Sequence, residues 1–189
     1  MITMDTKPTT AASTLWRVDP EQTVVDFAVK SFWGLITVRG RFDRFDGWYE
    51  VGPDGASIEL TIDAHSLDTG NATRDRHLRS PDFFHVAEHP LVRFASTGIR
   101  DTGDGTLRVE GSLEAAGTAI PIAFDAKVRQ IGDELEVEAT TAVDLRDAGM
   151  SRGHAGMIRP LARVHVKARL SDNEQKRRPP SAFRVRPPW

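Results

Sequence analysis

Residues 107–128 read LRVEGSLEAAGTAIPIAFDAKV, and their periodicity decides the fold. Leu107, Val109, Gly111 and Leu113 alternate with Arg108, Glu110 and Ser112. Ile120, Ile122, Phe124, Ala126 and Val128 then share one phase, with Asp125 and Lys127 on the other. Successive side chains of a strand point to opposite faces, so each run is a strand with one apolar face and one wet face. Between them, Ala115-Ala116-Gly117-Thr118 supplies the glycine that a tight hairpin needs, which makes the pair antiparallel.

The same period recurs in both directions along the chain. Upstream it runs through Val25, Phe27 and Val29, through Val38, Gly40 and Phe42, through Ile58, Leu60 and Ile62, and through Val92, Phe94 and Ser96. Downstream it runs from Leu135 and Val137 to Val143 and Leu145, and then through Val164, Val166, Ala168 and Leu170. A further short strand is expected at residues 15–19. The links VGPDGAS, DTGDGT and QIGDE are turn-rich, which implies consecutive up-and-down connections. About eight strands with one apolar face each must stack as two sheets or close on themselves, and closure at ~8 strands leaves an interior that is filled or holds one small ligand. Gly40 and Gly111, mid-strand on the inward phase, favour a coiled barrel over a flat sandwich.

One segment breaks the pattern. SLDTGNATRDRHLRSPDFF, residues 66–84, is short, charged and helix-like, with Thr69 placed to cap a helix. After Leu67 at its start, Leu78, Phe83 and Phe84 are its only large apolar groups, too few for a free-standing helix. The segment is therefore expected to lie across the barrel with these three side chains inward. Its charges, Arg74, Asp75, Arg76 and Asp82, should face water or bond the rim. Whether it is a moving lid or a static plug stays open.

The remaining features mostly exclude. A chain of 189 residues is expected to form one domain over residues 14–171, with a flexible arm at 1–13 and a basic, Pro-rich tail at 172–189. A net charge of −2 gives no reason to expect nucleic acid, and no span of ~20 apolar residues exists for a transmembrane segment. The absence of cysteine removes disulfides and thiolate chemistry. Without an apolar run near the N-terminus, a cytoplasmic location is expected. Nucleophile-elbow and phosphate-loop motifs are absent. His77, His85 and His89 lie near Asp75, Asp82 and Glu88, and we read them as surface groups beside the insert, not as metal ligands. A homodimer is compatible with the sequence and not implied by it.

Phe27, Phe42, Phe94 and Phe124 all fall on the inward phase. A closed core and a lined cavity need the same inward residues, so alternation alone leaves both open.

Several spaced blocks bring in a resemblance. Trp16-Arg17-Val18-Asp19-Pro20 opens it, followed by Val38-Arg39-Gly40-Arg41-Phe42 with Gly47. Ser66-Leu67-Asp68-Thr69-Gly70, Arg74-Asp75 with His77-Leu78, and Ser80-Pro81-Asp82-Phe83-Phe84 form the most specific run, and His89-Pro90 and Phe94 with Ser96 follow it. Over about residues 14–171 the chain resembles the YceI-like proteins, polyisoprenoid-binding, lipocalin-like barrels, some of them secreted or periplasmic. The resemblance implies an all-β, eight-stranded antiparallel up-and-down barrel with a helical insert. It also implies an interior channel for an isoprenoid, an isoprenoid quinone or a related lipid, and a carrier, storage or sequestering role without catalysis or cofactor. The ligand-binding set is then Phe27, Phe42, Leu60, Phe94, Leu113, Phe124 and Val137 from the walls, with Leu78, Phe83 and Phe84 from the insert. An enzyme acting on a small apolar substrate, or an interaction module using the tail, are the alternatives. One departure stands out: where the family carries R-x-x-aromatic-G, this chain has Arg146-Asp147-Ala148-Gly149, which alters one end of the cavity.

Overall fold

The computed structural model describes residues 13–31, 36–150 and 158–172. The expectations for residues 1–12 and for nearly all of the tail lie outside the described residues. Strand segments β1 (Thr14–Val18), β2 (Val24–Ser31), β3 (Ile36–Phe42), β4 (Phe45–Gly52), β5 (Gly55–Asp63) and β6 (Leu67–Asp68) come first. The helix α1 (Ala72–Leu78) follows them. Then come β7 (Leu91–Gly103), β8 (Thr106–Ala115), β9 (Thr118–Ile131), β10 (Glu134–Asp144) and β11 (Ile158–Asp172).

These eleven segments make eight staves. β1 and β2 share one edge of β11, with Val18 opposite Leu170 and Val24 opposite Lys167. β4 and β3 flank them in turn, with Trp16 opposite Tyr49 and Phe27 opposite Gly40. β5 and β6 form the third stave, where Gly47 meets Leu60 and Phe42 meets Leu67. β7 to β11 then follow in chain order, each antiparallel to the last, and β11 closes the ring on the first stave. The protein is a closed eight-stranded antiparallel barrel, as the alternation and turns predict.

Each of the first three staves is interrupted, and backbone and side-chain hydrogen bonds hold the breaks. In the first, Asp19 N–H donates to Arg169 O at 2.8 Å, and Arg169 N–H donates to Thr23 Oγ1 at 3.1 Å. Where the second and third staves break together, Arg44 N–H donates to Ser66 Oγ and Asp63 N–H donates to Arg44 O. The Arg44 guanidinium also grips the Asp63 carboxylate through two bonds of 2.9 and 2.8 Å.

The two inward glycines make room for rings. A Cβ at Gly40 would lie 2.4 Å from Phe27 Cζ, and one at Gly111 would lie 2.5 Å from both Ala95 O and the Phe94 ring. The benzyl groups lie flat across these gaps in the pleat, which no larger residue would permit.

Asn71, not Thr69, caps α1: its side chain accepts from Arg74 N–H at 3.0 Å. Thr69 is occupied elsewhere. Its N–H and hydroxyl both donate to Asp75 Oδ1, while its hydroxyl and carbonyl accept from Arg74 Nε and Nη2 at 2.8 Å. Asp75 is therefore buried at 7% exposure, where a water-facing or rim-bonding position was expected. The physical reason is the turn at Gly70, with φ of +73°, which folds Thr69 back over the helix.

Burial pushes the Asp63 carboxyl up, but the Arg44 hydrogen bonds and charge and the His65 N–H outweigh it and hold it below the ordinary aspartate value. A depressed folded-state value contributes stability that is complete above the unfolded value of 3.8 and is lost as pH falls through the folded one. Asp63→Asn should therefore lower stability at neutral pH, and the gap from wild type should shrink below about pH 4. Urea unfolding across pH 2–7 reads this directly; a gap independent of pH would remove the ion pair as its cause.

Candidate functional site

Closing eight staves leaves more interior than the side chains fill. A cavity of about 540 Å³ occupies part of the barrel interior. Its deep end is walled by Phe94, Phe124, Leu113, Ile122 and Ala139, and its other end by Phe27, Phe42 and Val164 under the insert. The phenylalanines pair. Phe94 and Phe124 have ring centroids 5.4 Å apart, as do Phe27 and Phe42, and Phe84 stands edge-on to Phe42 at 5.8 Å. Such pairs fix ring orientation, so the wall keeps its shape around the space.

Nine of the ten residues proposed from sequence line this cavity: Phe27, Phe42, Leu60, Phe94, Leu113 and Phe124 from the walls, and Leu78, Phe83 and Phe84 from the insert. Val137 does not. It packs on a solid core around Phe94, Val109 and Ala126, at the far end of the barrel. The phase of a strand tells in from out, but not how far along the axis the interior stays open.

Sequence reasoning missed part of the lining near the insert, where Ala148 and Met150 share a core cluster with Phe83 and Val86. The loop after β10 folds back, with Gly149 N–H donating to Arg146 O at 3.0 Å and Met150 N–H to Leu145 O at 2.8 Å. Ala148 and Met150 are thereby buried and line the cavity. Where the family pattern has an aromatic, the small Ala148 stands, and Met150 takes up part of the space. Two bonds from Arg146, of 3.1 and 2.6 Å, hold the Asp144 carboxyl below its usual range and stiffen this loop. On the insert side, Arg74 and His77 reach the lining. Together with Thr141 they are its polar side chains, and no carboxylate is among the described residues that line the space.

The histidine group expected at the surface divides. His77 Nε2 lies 3.8 Å from Asp82 and its ring stands edge-on to Phe83. His85 and His89 come together with Glu88, apart from the cavity.

The YceI-like domain family matches residues 16–170. The chain belongs to the YceI-like family. Among curated relatives, a UPF0312 protein of Pseudomonas aeruginosa is 32% identical over 146 residues, covering 71% of this chain and 75% of that protein. A UPF0312 protein of Vibrio cholerae is 32% identical over 126 residues, covering 62% and 67%. Solved structures share the fold. BcnA of Burkholderia cenocepacia superposes with a TM-score of 0.75 at 20% identity, covering 80% of this chain and 98% of that one. A polyisoprenoid binding domain from Saccharophagus degradans gives 0.68 at 18% identity, covering 86% and 99%. Among the described residues of this YceI-like chain, no helix is long and apolar enough to cross a membrane.

Packing separates wall from core in a measurable way. Leu67 is fully buried and does not line the cavity, so Leu67→Ala should cost about 2–5 kcal/mol. Phe84→Ala opens onto existing space and should cost less than the ~3–5 kcal/mol of a phenylalanine in a filled core. Urea unfolding of both variants checks the contrast, and a full core loss for Phe84→Ala would mean that the space is not open at that point.

Proposed function

We propose that this protein binds one long apolar molecule inside the barrel, of the isoprenoid, isoprenoid quinone or related lipid class, and carries, stores or sequesters it without chemical change. The observation that carries this reading is the apolar cavity of about 540 Å³, within the range of ligand sites, with its polar side chains confined largely to the insert. Burial is worth ~0.8 kcal/mol per CH₂, so a few isoprene units supply useful affinity without specific polar contacts. The polar ends of such lipids fit the Arg74 and His77 side, with the chain running toward Phe94 and Phe124. The polyisoprenoid binding domain named above is consistent with this class, as is membership of the YceI-like family. A lining without a carboxylate among the described residues favours binding over general acid–base chemistry.

Two measurements test the proposal. Organic extraction of the purified protein followed by mass spectrometry should recover a lipid with a long apolar chain. Retinol, a fluorescent isoprenoid alcohol, should bind the delipidated protein with one site per chain. Ala139→Trp, which fills the deep end, should weaken retinol binding by about tenfold or more while circular dichroism stays that of the barrel, since each buried CH₂ displaced costs ~0.8 kcal/mol. No recovered lipid together with retinol binding indifferent to Ala139→Trp would overturn the reading.

A further inference from the structure

A second constellation sits at the end of the insert, on the stretch that leads into β7. His85 has a left-handed backbone, with φ of 47°, uncommon for a residue with a side chain. Its N–H donates to Ser80 O at 2.9 Å, and its carbonyl accepts from both Glu88 N–H at 3.0 Å and His89 N–H at 2.8 Å. That single turn of chain sends residues 85, 88 and 89 to one side, as three- and four-residue spacings do in a helix. His85 Nε2 lies 3.5 Å from Glu88 Oε1, and the His85 and His89 rings have centroids 5.6 Å apart at 78°. One donor atom from each of the three residues falls within 4.8 Å of the others.

The His89 ring is fixed from the barrel side. It packs against Gly117 in the β8–β9 hairpin, where a Cβ would come within 2.6 Å of Cε1 and 2.7 Å of Nε2. Pro90 restricts the backbone of His89 from the other direction. Glu88, by contrast, has a side chain 69% exposed and is not hemmed in by packing on its outer side. Bonds of ~2.0–2.2 Å in a tetrahedral site put donors roughly 3.4 Å apart, so closing the set takes about an ångström of movement, which Glu88 can supply.

We infer that His85, Glu88 and His89 form a binding site for a divalent transition metal of the Zn²⁺ class. Two imidazoles and a carboxylate, with no thiolate, are the donor set that Zn²⁺ and its first-row neighbours take in three-ligand sites, and the remaining position is left to water or another ligand. The site is separate from the cavity, since none of the three residues lines it. It is mechanically joined to it. Phe84 and Val86 flank His85 and pack into the interior core, so a bound ion ties the end of the insert to the start of β7.

Calorimetric titration of the metal-free, full-length protein with ZnCl₂ tests the site, with thermal melting of each metal-free variant to confirm its fold. One high-affinity ion per chain is expected. His85→Ala, His89→Ala and Glu88→Gln should each weaken that event by about tenfold or more, since even outer-shell partners cost ~10–100-fold. His77→Ala and His165→Ala should leave it unchanged. Co²⁺ should give an intense visible absorption band in wild type that His85→Ala abolishes. Glu88→Gln changes an exposed side chain and keeps the fold, so its affinity decides the matter independently of misfolding. Equal Zn²⁺ affinity in wild type, Glu88→Gln and the His85→Ala/His89→Ala double variant would overturn the inference.

Discussion

Everything in this molecule depends on the pairing of β11 with β1 and β2. It joins the first stave to the last, and by closing the ring it satisfies the backbone groups that an open sheet would expose at two edges. The closure spans nearly the whole described chain, from residue 16 to residue 172, so it is the contact of greatest loop length and the one that folding must wait for. It also fixes the circumference. Eight staves at ordinary strand spacing enclose a space that side chains only partly fill, and the cavity is the geometric remainder.

Closure leaves the third stave without a full partner, and the insert answers that gap. β7 pairs with β5 over Asp63 to Glu59 and goes no further along the third stave, so β6 has no strand beside it on that side. The insert covers this edge. The Arg79 guanidinium donates to Leu67 O, and Ala64 N–H donates to Pro90 O at 2.8 Å where the insert rejoins the sheet. The charged helix-like segment in a sheet protein is thus a plug for a broken edge, and its apolar residues follow from that position. Phe83 and Val86 are buried in the core cluster that also holds Leu67 of β6.

The barrel was legible in the sequence because its information is periodic and local. Inward residues such as Val109, Phe94 and Val143 are inward wherever the strand lies, since a one-residue slip would turn every side chain over. The breaks were not legible. Nothing in the local pattern shows that residues 14–31 form one stave and not two strands, because that depends on a shared edge of β11 far along the chain. The cavity was legible only as a set of faces. Val137 and Ala139 share a phase and pack on the same cluster, yet only Ala139 reaches the open space, and that difference lies along the barrel axis where periodicity is silent. The helix cap at Asn71 and the burial of Asp75 were hidden for a related reason. Thr69, Asn71 and Asp75 are all competent capping or turn residues, and the positive φ of Gly70 decides between them.

Whether the insert moves as a lid can be argued from what holds it. Swinging it away as one body would break the Arg79 bond to Leu67 O and the contact of Ala64 with Pro90, while exposing Phe83, Phe84 and Val86. A hydrogen bond contributes about 0.5–1.5 kcal/mol, more when charged, and each large apolar side chain about 1.5–3 kcal/mol, so whole-body opening costs several kcal/mol and is rare. The network of Thr69, Arg74 and Asp75 is internal to the insert and its first turn, so it travels with α1 and does not resist. Resistance concentrates after the helix, at residues 79–90. There the packing is imperfect: Arg79 Nε and Ser80 Oγ are buried without a protein partner. Unpaired buried polar atoms cost free energy in the closed state that water returns on opening. These two atoms offset part of the resistance between α1 and the Phe83–Phe84 pair, and a ligand entering from this side would pass where Arg74 and His77 meet the cavity.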